Sequence, residues 1–270
     1  MMMHKHVAFF YFYSAIWSSC LITLQADMIA NWKELSSLTP ITAGLNTDSP
    51  SFGDGTASSA QSLWMTGRFG TVATPASVNL AVGQTLIVSG QLVISGGAGA
   101  GNQYRFGVFD DGGKFDSDET SDWPGGWIHQ ADTDIFKART TGTFISTTGN
   151  AVAQGATKTS TGTFNKNSTN PFTWNFSITR DTATTIDLVS SLTGGDGALD
   201  QEYRVDDVTT SVFTYTTAAW LFGGSSSVDQ GTFSNVAFNV IPEPASAWMF
   251  VWGAGLIAAL RHRVRRSVLG

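Results

Sequence analysis

One cysteine stands in the whole chain, Cys20, and it lies in the N-terminal leader. Everything after it can form no internal disulfide and offers no thiol nucleophile, so the body must be held by its core. Histidine is almost as scarce: His129 is the only one between residues 27 and 240. That count excludes a structural zinc site. A serine hydrolase would have one base available and no Gly-x-Ser-x-Gly turn to carry its nucleophile. His129, set between Ile128 and Gln130, reads as a sheet-face residue. Glutamate is confined to Glu34, Glu119 and Glu202 in the body. None alternates with an aspartate along one strand, as a carboxylate pair across a glycosidic bond would require. Asp132 and Asp134 alternate, but no glutamate joins them. Lysine is missing from the Gly/Ala-rich stretch 96–101, which therefore reads as a flexible turn and not a phosphate loop. Charged residues make up only 13% of the 270, and no window of the body repeats apolar residues at 3.6, so helices should be minor.

What charge there is, is segregated. Residues 27–243 hold all 21 acidic residues against ten basic ones, a net of −11. Lys5, Arg261, Arg263, Arg265 and Arg266 lie outside that span. A body so acidic, with no basic stripe, repels phosphate backbones and excludes nucleic acid as a partner.

The two ends read as targeting segments. Residues 1–26 fit a signal peptide, expected to form a helix: His4, Lys5 and His6, a mostly apolar run from 7 to 24, then Ala26 before Asp27. A lipoprotein at Cys20 is the alternative, though Trp17, Ser18 and Ser19 are not its usual approach. At the other end stand Ile241, Pro242, Glu243 and Pro244. Two prolines fix φ and remove amide donors, so this motif is expected to be an extended spacer that joins neither helix nor sheet. An uncharged run at 245–260 follows, short against the roughly 20 residues of a spanning helix. The chain then reaches Arg261, Arg263, Arg265 and Arg266. By the positive-inside rule these arginines stay cytoplasmic and stop translocation.

Motif, short apolar run and arginine cluster in this order resemble the PEP-CTERM sorting signal of exosortase-bearing bacteria, over residues 241–270 only. The family more often has Val where this chain has Ile241. The resemblance implies export through the inner membrane, transient anchoring there, and processing near Pro242, Glu243 and Pro244 by an exosortase-type membrane protease. It also implies a final place at the cell surface or in the extracellular matrix. A plain C-terminal membrane anchor is the competing reading.

Between the ends, strand signals recur. Segments 62–69, 85–94, 103–109, 127–130, 135–139, 212–215, 219–222 and 232–240 are short, β-rich and bounded by Gly, Asp, Ser and Thr. The clearest unit is 172–192. Phe172, Trp174, Phe176 and Ile178 alternate with polar residues, Arg180 to Ala183 turn the chain, and Ile186 and Leu188 lead it back as a hairpin. About ten such strands require two packed antiparallel sheets, so residues 27–240 are expected to form an all-β sandwich. The hairpin, with Gly194 and Gly195 at its end, resembles part of a concanavalin or laminin-G type jelly roll. So does Arg105 to Phe109 with its following acidic loop.

Two features of that body could carry chemistry. Asp110, Asp111, Asp116, Asp118, Glu119 and Asp122 crowd round Gly112 and Gly113. Hard oxygens on a bendable loop suit calcium, with Asp110, Asp111, Asp116 and Asp118 as ligands, although the EF-hand order is absent. The plainer reading is a solvated hairpin. Trp123 and Trp127 flank Pro124, Gly125 and Gly126; their rings could stack on a sugar, or could simply cover the sheet. The stretch 140–170, dense in Thr, Ser and Gly, reads as a long hairpin open to O-glycosylation, and Asp196 to Asp207 as a second acidic patch with weaker claims. The expectation is a non-catalytic, structural or carbohydrate-binding protein that meets extracellular polysaccharide and requires no cofactor, with calcium as an optional ligand. A secreted glycan-active enzyme of concanavalin-like fold is the alternative.

Overall fold

The computed structural model describes residues 27–34, 48–53, 63–71, 73–96, 104–113, 123–130, 135–138, 150–152, 157–222 and 228–242. Among these residues the structure is strands and turns. They are β1 (Asp27–Glu34), β2 (Ser51–Phe52), β3 (Leu63–Phe69), β4 (Val78–Asn79), β5 (Gln84–Ser95), β6 (Tyr104–Asp110), β7 (Gly125–Gln130) and β8 (Ile135–Ala138). After them come β9 (Asn150–Val152), β10 (Thr157–Thr161), β11 (Phe172–Arg180), β12 (Thr185–Gly194), β13 (Leu199–Thr209), β14 (Thr214–Tyr215), β15 (Thr217–Phe222) and β16 (Gln230–Pro242). The leader, the run 245–260 and the arginine cluster lie outside the described residues. Among the described residues no helix is long and apolar enough to cross a membrane.

Fourteen strands form one continuous antiparallel sheet, ordered β10-β13-β12-β11-β5-β16-β1-β3-β15-β6-β7-β8-β9, with β2 beside β16. The sheet curls because β1 turns a corner. Asp27 and Met28 pair with Phe238 and Ala237 of β16, whereas from Ile29 onward β1 pairs with β3, with a bulge between Ala30 and Lys33. On the far side the two edge strands, β9 and β10, are consecutive in sequence and joined through residues 153–156. Such a link reaches at most about 19 Å, enough to cross the roughly 10 Å between packed layers.

The curled sheet therefore has two halves face to face. Aromatic rings fill the space between: Phe106 lies 5.6 Å from Trp174, Phe136 6.0 Å from Phe176, Phe69 4.4 Å from Phe238, and Trp220 4.9 Å from Phe233. The two-layer packing expected from the alternation is present, built from one sheet folded on itself.

The hairpin of β11 and β12 shows how local chemistry sets register. Arg180 lies 3.6 Å from the Phe213 ring centre, and its guanidinium donates to Leu80 O, Thr182 O and Ala183 O. Thr182 Oγ1 accepts from the amides of Thr184 and Thr185. With the turn clamped, Phe172 to Arg180 pair one to one with Gly194 to Ile186.

One expectation is corrected here. The proline motif does join the sheet at its first two residues: Ile241 pairs with Thr85 and Pro242 with Gln84. A proline at the last rung of a strand costs the ladder little, because no further amide bond is due there.

Candidate functional site

The acidic hairpin begins where β6 ends, and the backbone bonds of its first residues are made by their own carboxylates. Asp110 Oδ1 accepts from Gly112 N (2.9 Å) and Asp111 Oδ1 from Gly113 N (2.8 Å). Gly112 and Gly113 both hold positive φ, 59° and 79°. Asp111 then turns inward. It is fully buried, with Oδ2 accepting from Thr217 Oγ1 at 3.1 Å and lying 3.7 Å from Arg68 Nε. Both of its oxygens are engaged within the protein, so Asp111 does not fit an open calcium ligand. No group of three acidic or histidine side chains suited to a metal occurs among the described residues, and Asp116 and Asp118 lie outside them.

The tryptophan pair is also turned to packing. Trp127 and Trp123 are only 3% and 4% exposed, on opposite faces of the second half, so they form no joint platform for a sugar ring. Trp127 points between the layers and donates from Nε1 to Tyr215 Oη at 3.1 Å. The Tyr215 hydroxyl in turn donates to Val212 O, and burial pushes its phenol pKa up. Trp123 sits on the outer face, its ring 5.8 Å from that of Phe109. Phe109 reaches this place because a Cβ on Gly107 or Gly126 would lie within 2.5 Å of its ring. His129 is buried between layers, 4.2 Å from the Tyr203 ring. Of the proline motif, Pro242 ends β16, while Glu243 and Pro244, like Arg261, Arg263, Arg265 and Arg266 after them, lie outside the described residues.

Two features escaped the sequence reading. The first is at the end of the sandwich away from Pro242. There Asp229 N donates to Ser95 O, and the Asp229 carboxylate lies over Gly96, where a Cβ would stand 1.9 Å from Oδ2. Gly96 N donates to Asn167 Oδ1 at 2.9 Å. Nearby, Asp196 gathers the loop before β11 by accepting from the amides of Thr169 (2.8 Å) and Asn170 (3.2 Å). The Thr169 amide is the main reason its carboxyl is held below the usual range.

The second is the outer face of the first half, β12, β11, β5 and β16. Register aligns Thr193, Thr173, Gln91 and Ser234 in one row. The next outward row is Ser191, Asn175, Ser89 and Ala237, and the third is Val189, Ser177, Ile87 and Asn239. Except for exposed Thr173, these residues are half-buried, while their inward neighbours form the core. None is charged or aromatic. Ser234 and Gln91 bond each other at 3.4 Å; the side chains of Asn175, Ser177 and Ser191 make no hydrogen bond among the described residues. A signal for this face was present in the polar positions alternating with Trp174 and Leu188, but alternation alone also describes any wet sheet.

No protein-family model matches the chain, and no curated protein matches it. Solved structures are similar to it at low identity. The seed lectin of Lotus tetragonolobus has 10% identity over 82% of this chain and 96% of that one, with a TM-score of 0.43. Arcelin-5, a lectin-like defence protein of Phaseolus vulgaris, has 7% identity, the same coverages and a TM-score of 0.44. The legume lectin-like domain from Entamoeba histolytica has 9% identity over 78% and 90%, with a TM-score of 0.37.

Proposed function

We propose that the chain is an exported protein of the cell surface or extracellular matrix, sorted by an exosortase-type protease, whose β-sandwich binds carbohydrate without catalysis. The observation that carries this reading is the order at the C-terminal end: Pro242, Glu243 and Pro244, an uncharged run at 245–260, then four arginines. The fold supports it mechanically. The chain starts β1 opposite Phe238 and leaves β16 four residues later, at Pro242, so both targeting segments attach toward one end of the domain. Carrying the arginines across the bilayer costs about 3 kcal/mol each on insertion scales, which holds the tail in place until it is cut. Carbohydrate binding is supported by the open face of hydroxyl and carboxamide side chains, which can both donate to and accept from sugar hydroxyls.

Mass spectrometry of the protein recovered from the cell surface tests the sorting step. The mature form is expected to start near Asp27 and end near Pro244. Persistence of peptides from 248–261 would make the tail a permanent anchor. Replacing Pro242, Glu243 and Pro244 by alanine should leave the full-length form in the inner membrane.

A further inference from the structure

The three rows on the first half offer the same chemistry on strand after strand: nine hydroxyl or carboxamide groups among twelve positions, no charge and no ring. Rows repeat at about 4.8 Å from strand to strand and about 6.8 Å along a strand. The corresponding outer face of the second half is closed, with Thr66, Ala219, Leu221 and Ile128 all buried. Among the described residues the first half presents an open sheet surface, and apart from the Gln91–Ser234 bond the hydroxyl and carboxamide side chains of these rows make no hydrogen bond there. The next strand, β13, brings exposed Asp200 and Glu202 into the first two rows and exposed Arg204, paired with Asp206 at 2.7 Å, into the third. That border repels polyanions and leaves the uncharged rows to an uncharged partner.

We propose that this face binds an extended, neutral, hydroxyl-rich polymer, a polysaccharide chain lying across β12, β11, β5 and β16. This rests on the carbohydrate-binding reading above and names its surface and ligand class. Each contact is weak, but a polymer that engages several rows at once gains avidity from having its next sugar already in place. Binding carried by neutral hydrogen bonds should also be nearly insensitive to salt. Neither the tryptophan pair nor the acidic hairpin takes part.

The full chain, purified in detergent, is to be tested for retention on microcrystalline cellulose and curdlan, with alginate as the anionic polymer. Two variants accompany it. One is the triple Thr173→Ala, Asn175→Ala, Ser191→Ala; the other is Asn175→Arg, which places a long cation in the middle row. Retention on a neutral polymer, unchanged by salt and lowered about tenfold or more in both variants, is the expected result. If the triple variant does not fold, Asn175→Arg decides alone. Retention unchanged by either variant overturns the assignment of this face while leaving carbohydrate binding intact. Failure to bind either neutral polymer, or a preference for alginate, overturns both. A dimer in sedimentation that Asn175→Arg dissociates would give the face to a second copy of the chain, and would overturn the proposal as well.

Discussion

The two halves of the sandwich share one core yet treat their outer faces in opposite ways. In β5 and β11 the chain alternates buried and half-buried residues, and the outward set is Thr, Ser, Asn and Gln with scattered aliphatics. In β6 the first six residues, and in β15 every residue, are buried. There the outward set includes Phe109, Ala219 and Leu221, which with Trp123 and Ile128 form a second apolar cluster. Charge follows the same division. Arg105 and Lys137 are buried on the second half's outer face, whereas Asp200, Glu202, Arg204 and Asp206 are exposed on the first. A strand with two buried faces is fixed by packing from both sides; a strand with one wet face is free to vary its outward residues for recognition.

The sharpest way to break this comparison is to truncate one outward residue in each half. Phe109→Ala should cost about 3–5 kcal/mol, as buried aromatic truncations do. Val189→Ala, half-buried on the open face, should cost roughly 1 kcal/mol or less. Urea unfolding of both variants checks this, and equal losses would show that the two faces are not different in kind. Asp111→Ala is expected next, at about 2–3 kcal/mol, because it leaves the buried Thr217 hydroxyl without its carboxylate acceptor and releases the exposed turn amide of Gly113. That loss should be the same in calcium and in chelator, since both oxygens of Asp111 serve the protein itself.

The smallest effect sharpens the picture of the open side. Asp187 accepts from the amide of Asp207, the left-handed residue of the β13 bulge, at 2.9 Å. Burial, the largest influence, raises its carboxyl above the usual range despite that bond. A raised acid binds its proton more tightly folded than unfolded, so it weakens the fold above its folded pKa and ceases to do so as pH falls. Asp187→Asn keeps the acceptor and removes the charge. It should therefore be neutral to slightly stabilising at pH 7, with any gain vanishing as acid titration passes down to about pH 4. Paired thermal melts across that range check the sign; a variant weaker than wild type at pH 7 would contradict it.

Much of the architecture was legible because most strands keep strict alternation. The hairpin of β11 and β12 and the long β5 stand close to where their patterns put them. β13 was missed, and its bulge shows why. Buried Tyr203 and Val205 keep period two, but the next buried residue is Val208, one place late, and the outward positions are mostly acidic. The segment read only as an acidic patch when it is an eleven-residue strand. The candidate site was less legible for a different reason. The tryptophans on either side of Pro124, Gly125 and Gly126 read as sugar-stacking rings or as cover for the sheet, and it takes the close approach of Phe109 to Gly107 and Gly126 to place Trp123 as cover. Residue type does not tell whether a carboxylate faces water or its own backbone amides, as Asp111 does. The meeting of Asp229, Gly96 and Asn167 spans distant parts of the chain, and nothing local announces it.

The corner at β1 has a consequence in time. Its first two residues stand in register with β16, and β16 also fills the place beside β5, so the middle of the sheet waits for this late strand. Pairings between residues this far apart in sequence close slowly, on the millisecond-to-second scale of sheet proteins with distant contacts. A chain still emerging, or one cut short before Gln230, would present β5 and β1 as two unpaired edges in search of a partner. The domain can mature only after β16 is made, which penalises any nonsense mutation upstream with aggregation.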